Sequence, residues 1–147
     1  MIVIFGADHA GYRLKEKLRA DAESRGIVTM DVGTSSEQSV DYPDYAHRVC
    51  ELLKGGQHYG CVGVLVCGTG QGMAMAANKH AHIRCAVSTS PEMARLARAH
   101  NDANVLALGA RLIDDGIAVH ILDAFLFSRY EAGRHDHRVR KLNPESE

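Results

Sequence analysis

Residues 62–79 read VGVLVCGTGQGMAMAANK, and the fold turns on them. Val62, Val64, Leu65 and Val66 form an apolar run that reads as a buried strand. The chain then turns through Cys67-Gly68-Thr69-Gly70-Gln71-Gly72 into an alanine- and methionine-rich run with good helix propensity. Three glycines at alternate positions let the backbone turn tightly and bring its N–H groups close to a ligand. With the N-terminus of the following helix, those N–H groups make a site for negative charge. Cys67 stands at the lip of that site, where the same field favours a thiolate. The third glycine comes one residue too early for the dinucleotide fingerprint, and no Gly-Lys-Ser/Thr follows, as a P-loop requires. An anion hole beside a thiol is the better description; the plain alternative is a strand–turn–helix with a buried cysteine.

Working outward, 147 residues are enough for one ordinary domain with a proper core, and the whole chain, 1–147, reads as that domain. A formal net charge of −1 points to neither a nucleic-acid nor a membrane partner. The longest apolar runs have strand length, far short of a membrane span. Met1-Ile2-Val3-Ile4-Phe5 enters a strand with no basic segment before it, which argues against a signal peptide. The four cysteines, Cys50, Cys61, Cys67 and Cys85, contain no CxxC pair and read as reduced thiols of a cytoplasmic protein.

In chain order, Met1–Gly6 is a first strand whose end carries Ala7-Asp8-His9-Ala10-Gly11. Leu14, Leu18 and Ala22 mark the apolar side of an amphipathic helix ending near Arg25-Gly26. Ile27–Val32 is a second strand, followed by a serine-rich loop to Val40-Asp41-Tyr42-Pro43-Asp44. Pro43 and Asp44 open a helix through Ala46, Val49, Cys50 and Leu53, stopped at Gly55-Gly56. After the central strand–turn–helix, Ile83–Ser88 is a fourth strand, and Ser90-Pro91-Glu92 starts a helix running to His100. Asn104–Gly109 is a fifth strand, with Arg111 directly after it. Asp114 or Asp115 opens a last long helix, and the tail, 129–142, is strongly basic. Five strands alternating with helices predict one doubly wound, Rossmann-like parallel α/β sheet of order 2-1-3-4-5, with helices on both faces and a basic C-terminal tail helix. Ligands of such sheets bind where strands one and three diverge, and there Asp8 and His9 meet Cys67 and its loop. Alone, Asp8-His9 reads equally as a helix-capping turn.

Several stretches together resemble one family, the type B ribose-5-phosphate isomerases and their galactose-6-phosphate isomerase relatives. They are Asp8-His9-Ala10-Gly11 with Leu14-Lys15, Val40–Asp44, Cys67–Gly72 through Ala76-Ala77-Asn78-Lys79, His100–Val105, and Gly133-Arg134-His135 with Arg138-Val139. The resemblance spans nearly the whole chain and implies aldose–ketose isomerisation of a phosphorylated sugar, in the pentose phosphate pathway, with no cofactor. It makes Cys67 the base that moves a proton between C1 and C2, with Thr69 and the backbone of Gly68, Gly70, Gln71 and Gly72 holding the enediolate. It gives ring opening to His100 assisted by Asn101, sugar hydroxyls to Asp8 and Tyr42, and the phosphate to His9, Arg111, Arg134 and Arg138. Some relatives place a glutamate base a few residues after the strand; Met73-Ala74-Met75 offers no carboxylate, so the cysteine version applies. His82 stands where the family has a glycine, and we assign it no role.

The chemistry agrees independently, since the reaction needs one base over the C1–C2 plane, donors at the developing oxyanion and a second acid–base group for ring opening. If the tail is helical, Arg134 and Arg138 share a face and fork one phosphate; otherwise they belong to a solvated basic tail. A six-carbon sugar phosphate is the nearest competing substrate. A nucleotide-binding module without catalysis, with Asp31 imitating a ribose-binding acid, is a competitor from another class. A metal-dependent isomerase could draw on Asp8, His9, His47 and His135, but no close-spaced ligand motif joins them, and no metal is expected to be needed. His100 and Asn101 lie just before strand five, at the edge of the sheet opposite Cys67. If they act, a two-fold partner must supply them, so a homodimer with shared active sites is expected, one that could pair again into a dimer of dimers.

Overall fold

The computed structural model of the chain describes residues 1–55 and 60–144. In chain order these form β1 (Ile2–Ala7), α1 (Tyr12–Ser24), β2 (Val28–Asp31), α2 (Tyr42–Leu53), β3 (Cys61–Cys67), α3 (Gln71–Ala77), β4 (Cys85–Val87), α4 (Pro91–Asn101), β5 (Val105–Gly109), α5 (Asp115–Phe127), a 3₁₀ turn (Gly133–His135) and α6 (Asp136–Arg140). The predicted stop of α2 at Gly55-Gly56 is half seen: the helix ends at Leu53 and Gly55 has a positive φ, while Gly56 lies outside the described residues. No helix among the described residues is long and apolar enough to cross a membrane.

All strand pairings are parallel, but the order is β2-β1-β3-β5-β4, which corrects the expected 2-1-3-4-5. The reason lies in which strand can be buried on both faces. Val105–Gly109 is apolar throughout and wholly buried, so it takes the inner place beside β3, with Gly63 opposite Val105 and Cys67 opposite Gly109. Cys85–Val87 is three residues long and only half-buried, so it takes the edge. The β2-β1-β3 half is as expected, and the divergence of β1 and β3 survives the correction.

Two apolar layers sandwich the sheet. Leu14 and Leu18 of α1, Ala94 and Ala97 of α4, and Ile121, Leu122 and Phe125 of α5 pack with Phe5, Val64, Val66, Leu106 and Leu108 on one side. Val49 and Leu53 of α2 and Met73 and Ala77 of α3 pack with Ile4, Leu65, Val105 and Ala107 on the other. Helix starts follow their local chemistry. The Ser90 hydroxyl accepts the Met93 N–H at 3.3 Å ahead of Pro91, and Asp114 Oδ1 accepts the Ile117 N–H at 2.8 Å. At the other end of α4, Asp102 closes the helix in the left-handed region at φ 48°.

Candidate active site

The carboxyl ends of β1 and β3 are stitched together. The Asp8 N–H donates to the Val66 carbonyl at 3.3 Å, and α1 starts so close to β3 that a Cβ on Gly11 would lie 2.1 Å from the Val66 oxygen. No residue but glycine fits there. Asp8 Oδ1 accepts the N–H groups of Ala10 and Gly11, each at 3.0 Å, so it ties the turn ahead of α1, while the helix itself starts at Gly11 with no side-chain cap. Those two bonds engage one carboxylate oxygen, and Oδ2 is the one that can serve a ligand hydroxyl. Beside it, His9 Nδ1 accepts the Val40 N–H at 3.2 Å, which puts the proton of the neutral ring on Nε2. The loop after β2 thereby sets the histidine tautomer and delivers Tyr42. Tyr42 lies against the first turn of α3: a Cβ on Gly72 would come within 2.6 Å of its ring.

Cys67 ends β3 and is 5% exposed. The Gly70 N–H donates to its sulfur at 3.1 Å, and Gly70 reaches that position through a left-handed backbone at φ 78°. Helix α3 has only seven residues, so the loop amides rather than a long helix dipole supply the positive field. Thr69, exposed at the tip, accepts the Gln71 N–H at 3.3 Å. The corner after β5 closes the far wall. The Ala110 N–H donates to the Cys67 carbonyl at 2.8 Å, and the Arg111 guanidinium lies 3.0 Å from where a Cβ of Gly68 would be. Asp8, His9, Tyr42, residues 67–72 and Arg111 thus share one crevice.

The cysteines differ in a testable way. Burial pushes the Cys50 thiol up to about 12 and the Cys85 thiol well above its ordinary value. Iodoacetamide near pH 8 is therefore expected to inactivate by alkylating Cys67, with bound sugar phosphate protecting it. Peptide mass mapping should find Cys50 and Cys85 unmodified; inactivation that tracks modification of either one would overturn this.

The remaining expected site residues sit elsewhere. His100 and Asn101 close α4 beside the amino end of β5, where the Asn104 carbonyl accepts from Gly63 at the start of the paired region. His100 stacks on His135, with centroids 4.4 Å apart and planes 14° apart, and the Glu131 N–H donates to the Ala99 carbonyl at 2.9 Å. The short 3₁₀ turn and α6 put Arg134 and Arg138 around that same corner, where burial, then His100 and Arg134, holds His135 below the usual histidine range. The residues expected to hold a phosphate are divided within one chain: His9 and Arg111 lie at the crevice, Arg134 and Arg138 at the opposite edge.

The competing readings lose their residues. Asp31 is engaged by the buried Lys15 ammonium through Oδ2, and by the Gly33 N–H at 2.9 Å through Oδ1, so it is not poised for a ribose. Asp8 and His9 are at the crevice, His135 is at the far corner, and His47 shares a 2.7 Å hydrogen bond with His80. These four do not form one metal centre.

A family model described as Ribose/Galactose Isomerase matches residues 3–142. The chain belongs to this family. It is 45% identical over 140 residues to ribose-5-phosphate isomerase B of Escherichia coli K12, covering 95% of this chain and 93% of that one. The crystal structure of a ribose 5-phosphate isomerase from Thermotoga maritima superposes with a TM-score of 0.91 at 46% identity, covering 96% of each chain. The enzyme from Mycoplasma genitalium, crystallised with bound ribulose-5-phosphate, gives 0.91 at 35% identity, covering 96% of this chain and 93% of that one.

Within this ribose/galactose isomerase chain, two supports of the site escaped the sequence reading. Lys15, 1% exposed, reaches Asp31 and, at 3.0 Å, the Thr34 carbonyl, and so anchors the loop that carries Val40 and Tyr42. Its signal was a lysine next to Leu14 on the apolar side of α1, which reads as solvated until the fold is seen. Arg84 forks onto Asp102, donating to its carbonyl and its carboxylate at 2.7 Å each, and fixes the corner that carries His100 and Asn101. Nothing in the sequence joins two residues eighteen positions apart.

Proposed function

We propose that this chain is an aldose–ketose isomerase that interconverts D-ribose 5-phosphate and D-ribulose 5-phosphate through a cis-enediolate, in the cytoplasm. The observation that carries the reading is Cys67: a buried thiol at the carboxyl end of β3, bonded by the Gly70 N–H and walled by Arg111. As thiolate, Cys67 takes the C2 proton of the open-chain aldose, and the electron pair forms the C1–C2 enediolate. The N–H groups of the 68–72 loop, with Thr69, stabilise the negative oxygen. The proton returns to C1 while the O2 proton passes to O1, leaving the ketose. Asp8 and Tyr42 hold the sugar hydroxyls.

His100, with Asn101, opens the furanose, and it does so in the partner's crevice. Cys67 and His100 lie at opposite ends of β3 and β5, and a five-residue strand spans roughly 17 Å. A two-fold dimer that brings one chain's His100 corner onto the other's Cys67 crevice meets this separation. It also reunites the phosphate ligands, adding Arg134 and Arg138 of one chain to His9 and Arg111 of the other.

Turnover of ribose 5-phosphate, allose 6-phosphate and galactose 6-phosphate tests the substrate. Ribose 5-phosphate is expected to give the highest kcat/KM, and a preferred six-carbon sugar would overturn it. Replacing Arg138 with alanine is expected chiefly to raise KM, because a remote phosphate contributes to ground and transition states alike. Unchanged KM and inhibitor affinity would leave the tail a solvated basic face.

A further inference from the structure

The corner that carries His100 holds more than the isomerisation uses. His100 Nε2 lies 3.7 Å from Glu131 Oε2, and His135 Nε2 lies 3.9 Å from the same oxygen. The donor atoms of all three lie within 4.8 Å of one another. His135 is 8% exposed, and its Nε2 is shut off from solvent without a hydrogen-bond partner. An enclosed ring nitrogen facing a carboxylate, with no bond made, is a costly arrangement that calls for a function. The backbone holds the group together: Glu131 is tied to Ala99 at the end of α4, and the Tyr130 hydroxyl donates to Asp136 at 2.9 Å.

We propose that His100, Glu131 and His135 bind a divalent transition-metal ion of the zinc class, and that the bound ion switches off ring opening by occupying His100. Two imidazole nitrogens and one carboxylate are a zinc donor set that leaves a fourth position for water. One carboxylate among nitrogen ligands suits magnesium or calcium poorly. Tetrahedral zinc at roughly 2.0–2.2 Å from each ligand sets neighbouring donor atoms roughly 3.3–3.5 Å apart. The two carboxylate–imidazole separations are therefore close to the required spacing, and the nitrogens must move in. Because the rings are nearly parallel, binding splays them and exchanges their stacking for two metal–nitrogen bonds. His100 is one-third and Glu131 one-half exposed, so both have room to turn. The ion is an inhibitor here and not a catalyst.

Binding is independent of how the reaction runs; only the switch rests on the proposed role of His100. The test starts with calorimetric titration of the EDTA-treated full chain with zinc chloride, with cobalt(II) absorption as a second readout. One ion per chain is expected, weakened at least about tenfold in Glu131→Gln and in His135→Phe, and retained in Cys67→Ala. No binding, binding unchanged in both variants, or binding lost with Cys67 would overturn the site.

The activity arm compares the two directions. Ribulose 5-phosphate has no furanose form to open, whereas ribose 5-phosphate does. Zinc is expected to slow conversion of ribose 5-phosphate far more than that of ribulose 5-phosphate, each variant being scaled to its own rate without metal. Zinc on Cys67 would slow both directions equally, and equal slowing with zinc bound at the trio would overturn the switch. His100→Asn, assayed alongside without metal, separates the two failures. If it too slows both directions equally, the fault lies in the ring-opening role of His100.

Discussion

Cys67→Ala is expected to lose two to four orders of magnitude in kcat, roughly the scale of removing a general base, while phosphate-bearing inhibitors still bind. The loss should fall on both directions, because in the proposed mechanism the thiol acts on the carbon-bound proton after the ring is open. Its sulfur is the acceptor for the Gly70 N–H, and Met73-Ala74-Met75 puts no carboxylate nearby in sequence to take over. Inhibitor affinity should hold, since His9 and Arg111 reach the crevice through other elements. A variant with near-normal kcat would end the thiol-base mechanism.

The second large effect is a recovery. Cys67→Ala and His100→Ala proteins, each inactive on ring-form ribose 5-phosphate, are dissociated, mixed in equal amounts and reassociated at random. About half of the dimers are then mixed, and a shared-site mixed dimer has one doubly damaged site and one intact site. Activity on ribose 5-phosphate should return to about a quarter of wild type. If each site were built within one chain, every site in the mixed dimer would lack one group, and mixing would restore nothing. Cys67 ends β3 while His100 lies near the end of α4, beside the amino end of β5, and this separation makes the first outcome the expected one.

The proposed zinc site and the shared dimer site use the same corner of the chain. His100 would face the partner's crevice when the sugar is bound, and Glu131 and His135 when an ion is bound. The Arg84–Asp102 fork behind it keeps the corner in place in either case.

Much of the crevice was legible in residues 62–79 and in Asp8-His9, because a parallel α/β sheet places strand ends by connectivity alone. The apolar run of β3, the glycine turn and the caps of α4 and α5 are local features, and each appears where its residues require it. The strand order was not legible. Both β4 and β5 read as short apolar strands, and what separates them is burial on two faces against half-burial at an edge. That is a competition for space beside β3, which no local pattern records. Lys15 looked like one charge among several on α1, and only the closing of the loop after β2 over it makes it a buried anchor.

The sequence by itself determined the fold class, the crevice between β1 and β3, and the thiol with its glycine loop, since these follow from short-range periodicity, glycine freedom and chain order. Tertiary structure alone decided that Arg134 and Arg138 lie apart from His9 and Arg111, and that Glu131 and His135 close around His100. The physical reason is that the chain after α5 runs back across the end of α4, bonded from Glu131 to Ala99, and contacts between segments some thirty residues apart leave no mark on either segment alone.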